Sequence, residues 1–186
     1  MQMVGRVESL WRYPVKSMRG EPLSEAFAGF AGIYGDRLYA FCSTGSPVGF
    51  PFLTGREQEQ MLLYTPRFRR VERMRRPPNL DEADALAPGV TPLYPAAADT
   101  AVEVESPDGE TYAIDDPILI NRISDGLGDR HTLTLVRSDR SMTDCRPVSV
   151  FGIWTARQLS DEIGTAIDRR RFRANIYRFR VPKRLH

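Results

Sequence analysis

Residues 101–115, AVEVESPDGETYAID, restrict the fold more than any other stretch. Val102 and Val104 oppose Glu103 and Glu105 on the first arm, and Tyr112 and Ile114 oppose Thr111 and Ala113 on the second. The two arms flank the turn PDG at 107–109. Alternation of period two on both sides of a Gly-containing turn predicts a β-hairpin with one covered face. Other segments extend the pattern. DRLYAFCS (36–43) has apolar side chains at both parities, which suits a central strand covered on both sides. HTLTLVR (131–137) and the shorter RPVSVFGI (146–153) read as two further strands.

Helix signals are few. Asp116 as cap, Pro117 at the first helical position and a glycine at 126 or 128 predict a helix of about ten residues. In TARQLSDEIG, Thr155 and Gln158 have capping-box spacing, Leu159 and Ile163 fall on one face, and Gly164 ends the pattern. Residues 77–98 are rich in proline, acids and alanine and read as an extended loop or joint. The expected architecture is mainly β with a few short helices, barrel-like. Residues 1–98 form the first part and 99–186 the second, with the basic tail 177–186 atypical.

The net charge of +2 conceals strong blocks. Residues 66–76 hold six arginines and one glutamate, 77–121 hold ten acids and no base, and 169–186 hold eight bases and no acid. Such blocks are solvated faces, pair with one another, or meet a partner. No apolar run is long enough to span a membrane and no secretory leader is visible, so a cytoplasmic chain without membrane contact is expected. Cys42 and Cys145, about a hundred residues apart, have neither metal-site spacing nor a disulfide framework, and are expected to be reduced, half-buried packing residues. There is no Walker loop, GxGxxG, HExxH, CxxC or GxSxG motif, and only His131 and His186 are histidines. Catalytic triads and histidine-rich metal centres are thereby nearly excluded, no metal ligand is assigned, and His131 reads as a surface or edge residue.

Against 24 arginines the chain has two lysines, Lys16 and Lys183. In YPVKS (13–17), Pro14 breaks the strand into a turn that offers the Lys16 ammonium beside the Ser17 hydroxyl. A compact point charge next to a hydroxyl suits a phosphate oxygen, where arginine would bring a planar fork. Chance alone also leaves a lysine or two in such a composition. In GIYGDRLYAF (32–41), Arg37 enters an apolar strand and needs a partner, either Asp36, another acid, or a bound anion. FLTGRE (52–57) places Thr54 and Arg56 after a loop. RRRFRANI crowds Arg169, Arg170, Arg171 and Arg173 before Asn175.

Taken in order, YPVKS, GDRLYAF, FLTGRE, the PDG hairpin, RPVSVFGIWTARQL (146–159) and RRFRANI (170–176) resemble the MOSC proteins with their preceding N-terminal β-barrel domain, relatives of the molybdenum cofactor sulfurase C-terminal domain and the amidoxime-reducing components. The resemblance implies a β-barrel-like N-terminal domain followed by a partial MOSC β-barrel, with a molybdopterin-type cofactor between them. It assigns Lys16, Ser17 and Arg37 to the cofactor phosphate, Thr54 and Arg56 to further cofactor contacts, and Arg173 and Asn175 to pterin or phosphate. Ala174 stands where relatives have proline, which should loosen that turn. It also implies that relatives continue past the equivalent of His186 to a molybdenum-ligating cysteine, so the expectation is a truncated or frame-shifted tail.

Three phosphate donors at about 1.5–3 kcal/mol each work against an association cost of about 4 kcal/mol or more, so weak cofactor retention is expected without the thiolate. The implied activity is that of an oxidoreductase or sulfur carrier, inactive if the ligand region is lacking, with a redox or sulfur-transfer protein as partner and a homodimer through an open strand edge. Nothing in the sequence supports pyridoxal phosphate. Two other readings stand beside it. One is a non-catalytic module for small anions. The other is a single-strand nucleic-acid binder, suggested by the alternation in YRFRV (177–181), which equally describes an edge strand with a charged outer face.

Overall fold

A computed structural model describes residues 5–78, 80–85, 87, 97–128 and 131–180. The chain opens with β1 (Gly5–Arg12), β2 (Glu21–Leu23), β3 (Ala28–Gly29), β4 (Gly32–Ile33), β5 (Tyr39–Ser43) and β6 (Thr65–Phe68). It continues through α1 (Leu80–Ala85), β7 (Val102–Glu105), β8 (Thr111–Ala113), α2 (Pro117–Ser124), β9 (Leu133–Arg137), β10 (Val150–Gly152), α3 (Ile153–Ile163) and β11 (Ile176–Arg180). The protein is mainly β with three short α-helices among the described residues. The strands form a four-stranded sheet in the order β10-β11-β1-β2, a three-stranded sheet β6-β7-β8, and the pairs β3-β4 and β5-β9. These ladders do not close into one cylinder. Single bridges from Val15 to Tyr39 and from Cys42 to Phe52 tie the turn after β1 and the loop after β5 to the β5-β9 pair.

The hairpin forms as β7 and β8, with Gly109 at φ 88°, and β6 adds to it in antiparallel register. That third strand also settles the charge blocks. Arg67 forms an ion pair with Glu105, Arg69 with Glu103 and Arg70 with Asp99, so much of the first basic block pairs with the acidic block that follows it. Tyr39, Ala40 and Phe41 of β5 are buried, as apolar residues at both parities require. Asp116 caps α2 by accepting from the Ile118 N–H at 2.8 Å.

The capping box of α3 is not formed. The helix begins at Ile153, directly out of β10, with Gly152 as its cap and no side-chain cap bond. Ile153 and Ala156 bury against the sheet and draw the start of the helix back by a turn, leaving Thr155 exposed and Gln158 donating to Glu162. Gly164 ends α3 in the left-handed region, but Ile163 is exposed, so the buried face is carried by Ile153 and Ala156 instead.

Of the stretch 77–98, Leu80–Ala85 form α1 and Ala97–Thr100 start a 3-10 turn. Residues 88–96 lie outside the described residues, as do 181–186 with Lys183 and His186. β11 is an interior strand, not an edge, and Tyr177 is fully buried, so its ring offers no platform for a base. Cys42 is half-buried, but Cys145 is exposed, in a segment without regular structure. His131 accepts or donates one bond with the Ser43 hydroxyl at 2.7 Å, and its ring lies against Gly45, where a Cβ would meet it at 2.5 Å. No helix among the described residues is long and apolar enough to cross a membrane.

Two cores result. The larger joins Val15, Phe41, Leu53, Met61, Phe68 and Val104 with Leu119 and Ile123 of α2. The smaller gathers Ile153, Ala174 and Tyr177, with Trp11 and Phe151 packed against them. The candidate site lies where the turn after β1 meets the turn before β11.

Candidate functional site

Pro14 ends β1, and the turn Val15–Met18 closes with the Met18 N–H donating to the Val15 carbonyl at 3.3 Å. Ser17 sits in this turn at φ 66°. Arg37 follows the Gly35–Asp36 turn at φ 47°, and Arg173 ends the 3-10 turn Arg169–Phe172 at φ 50°. These three are the only non-glycine residues with positive φ among the described residues, and all three carry an assignment from the sequence. The left-handed region costs an L-residue about 1–2 kcal/mol, and such strain persists where the surroundings hold a side chain in one particular place.

The holding contacts are dense. Buried Asp36 accepts from the Tyr13 N–H at 2.8 Å, from the Ser141 hydroxyl at 3.2 Å and from Arg37 Nη1. Arg37 Nη2 donates to the Arg173 carbonyl at 2.9 Å. Both guanidinium groups lie against the Tyr13 ring, Arg37 at 4.8 Å and Arg173 at 4.4 Å from its centroid. Gly20 makes room for that ring, since a Cβ there would meet it at 2.5 Å. Burial raises the Tyr13 phenol well above the ordinary range, with Tyr177 adding to the rise and the two arginines opposing it. Burial, followed by repulsion from Arg37, brings the Arg173 guanidinium down to about 10, so it stays charged at neutral pH.

Of the buried cations that the sequence assigned to the site, Arg173 is left incomplete. Its Nη1 donates to the Met18 carbonyl, but Nη2 is buried with no hydrogen-bond partner among the described residues. Arg173 is also the only one of the seven assigned residues that lines an open cleft of about 840 Å³. The cleft is further lined by Trp11, Tyr13, Arg19, Gly20 and Leu62, and by Arg171 and the Arg170–Asp168 pair. Sequence reasoning missed Tyr13, Trp11 and Arg19 as site residues. Tyr13 and Arg19 stand within or just after YPVKS, but nothing in a sequence marks a phenol as the surface on which two arginines rest.

The other assigned residues are occupied within the fold. The Lys16 ammonium is nearly buried, donates to the Met142 carbonyl at 3.0 Å and to the Asp144 carboxylate, and lies over Phe50 and Phe52. The Ser17 hydroxyl has no hydrogen-bond partner among the described residues. Arg37 uses both terminal nitrogens on Asp36 and on the Arg173 backbone, so it is a positioning residue for the Arg173 turn. Thr54 binds Glu57 through both N–H and hydroxyl and accepts from the Arg56 N–H, a closed local turn that leaves the Arg56 side chain exposed. Asn175 is buried and engaged at both ends: its Oδ1 accepts from the Ser149 N–H and hydroxyl, and its Nδ2 donates to the Trp11 carbonyl. It ties β1, β11 and the approach to β10 together. The Ala174 N–H donates to the Tyr177 hydroxyl at 3.2 Å, a bond proline could not make, so alanine here secures the turn.

No group of three or more His, Cys, Asp or Glu among the described residues is arranged to hold a metal ion. Burial raises the Cys42 thiol, which favours the protonated form, and neither cysteine lines the cleft.

The family model of the MOSC N-terminal beta barrel domain matches residues 4–116, more than half of the chain, and the chain belongs to this family. The matched span includes YPVKS, Arg37, Thr54 and the hairpin, and ends at the cap of α2. No curated protein matches the chain.

Proposed function

We propose that the chain binds a molybdopterin-type cofactor by its phosphate, in the cleft beside Arg173. The observation that carries this reading is the buried Nη2 of Arg173, charged, without an acceptor among the described residues, in a side chain that lines the cleft together with Arg171 and the Arg170–Asp168 pair. A phosphate oxygen supplies the missing acceptor, and charge-assisted bonds of this kind contribute about 1.5–3 kcal/mol each. Trp11, only partly buried, offers flat apolar surface for a pterin ring. Asp36 and Arg37 act by fixing the Arg173 turn. Lys16 holds the Asp144 segment in place, and its ammonium is freed for an anion only when Asp144 moves away.

The residues present fit the phosphate-bearing end of the cofactor. They do not fit its metal end, because no cysteine lines the cleft. When bound, the cofactor would supply two-electron or sulfur-transfer chemistry at its metal; the chain's part is to bind and orient the phosphate and pterin. The test is to make the protein in a cofactor-producing host, release bound pterin by oxidation and quantify its fluorescence. Wild type should carry pterin and Arg173→Gln should lose it. Wild type free of pterin, or equal pterin in the variant, overturns the reading.

A further inference from the structure

Side chains alternate along β1, so Trp11 and Tyr13 face the cleft while Arg12 points to the opposite side of the strand. Arg12 is only 2% exposed. Its Nε donates to Glu21 at 2.7 Å, and its Nη1 donates to the carbonyls of Tyr34, at 3.1 Å, and Met74. The guanidinium also lies 4.8 Å from the centroid of the Phe68 ring. A guanidinium has five N–H donors, and these contacts leave Nη2 without an acceptor among the described residues. The structural tie uses Nε and Nη1, while Nη2 keeps enough exposure to be reached from the cavity.

Arg12 forms one wall of a cavity of about 130 Å³. The other walls mix apolar side chains, Leu23, Phe27, Ile33 and Met74, with Ser24 and Tyr34, and Glu25 and Arg75 are the further charged groups. A neighbouring depression of about 270 Å³ shares Phe27 and Arg75 and adds Arg76. A cavity of about 150 Å³ is enough for benzene, so this one suits a body of about six or seven non-hydrogen atoms. Glu21 already neutralises Arg12, and Glu25 stands nearby, so a doubly charged phosphate would meet two carboxylates. Arg75 offsets Glu25 in the lining, so a ligand with a single negative charge meets less repulsion than a doubly charged phosphate.

We propose that this cavity is a second binding site, which takes a small monocarboxylate with an apolar tail, the carboxylate on Arg12 Nη2 and the tail against Phe27, Ile33 and Met74. It lies on the face of β1 opposite the Arg173 cleft and does not depend on what that cleft binds.

The experiment is an amide-resolved NMR titration of the whole chain with isovalerate, with its neutral amide isovaleramide, and with inorganic phosphate. Isovalerate should saturate in the millimolar range, as expected for so small a ligand, with the amide at least about fivefold weaker and phosphate not competing. Ala26→Phe and Val71→Trp are two independent plugs of the cavity, and whichever keeps the wild-type spectrum elsewhere should lose saturation. Arg173→Gly should bind isovalerate as wild type does, even if pterin retention is lost or was never present. Equal affinity for acid and amide, displacement by phosphate, undiminished binding in a folded plugged variant, or weakened binding in Arg173→Gly each overturn the proposal.

Discussion

The two arginine-rich stretches, 67–76 and 169–173, look alike in sequence and are used in opposite ways. In the first, Arg67, Arg69 and Arg70 each face a carboxylate from the acidic half of the hairpin region, in pairs that are largely exposed. Those charges annul one another in solvent, where a pair contributes little. In the second, Arg169 pairs with Glu8 and Arg170 with Asp168, but Arg173 is turned inward by a left-handed backbone, stacked on Tyr13 and left with a free Nη2. Clustered positive charge is therefore a poor guide to a site. What separates the two is burial and the supply of acceptors.

The largest effect should come from removing the carboxylate beneath the second region. Asp36→Asn leaves Arg37 and Arg173 without their buried counter-charge and should destabilise the protein by about 3–5 kcal/mol, read from urea unfolding. No loss would mean that the second region is as solvent-screened as the first. Next, Arg173→Gly relieves the positive φ and removes the free guanidinium. Stability should change by no more than about 1 kcal/mol, because strain relief offsets the lost stacking, while pterin retention falls at least about tenfold. A variant that unfolds but still carries pterin when refolded would reverse the roles assigned here.

In the first region, Arg69→Ala should cost less than about 0.5 kcal/mol and leave ligand binding unchanged, with the difference shrinking further at high salt. The smallest effect is in acid. Asp168, bonded first of all by the Arg170 side chain, is held down to about 2. Its contribution is present above the ordinary aspartate range near pH 4 and is lost as pH falls toward 2. Because the pair is exposed, Asp168→Asn should shift the acid unfolding midpoint only slightly, and a large shift would show that the 168–170 turn matters more than its exposure suggests.

Local pattern was legible wherever one chain segment settles its own environment. The alternation at 101–115, the doubly apolar run at 39–41, the Asp116 cap and the Gly164 stop are set by neighbours a few residues away, and each forms as the sequence predicts. The capping box at Thr155 fails for the complementary reason. Burial of Ile153 and Ala156 in the second core outweighs one side-chain cap. Asn175 and Thr54 have residue types that suit a ligand, and the fold uses them as ties instead.

The sequence by itself determined a mainly β chain and its hairpin, because side-chain periodicity and turn chemistry act over a few residues, and its ordered motifs carried the resemblance to the family that the family model shows. Only the tertiary structure decided which cation is unsatisfied. Lys16, Arg37 and Arg173 are equivalent as charges in the sequence, and each becomes a latch, a brace or a free donor according to the acceptors that distant segments bring within about 3 Å.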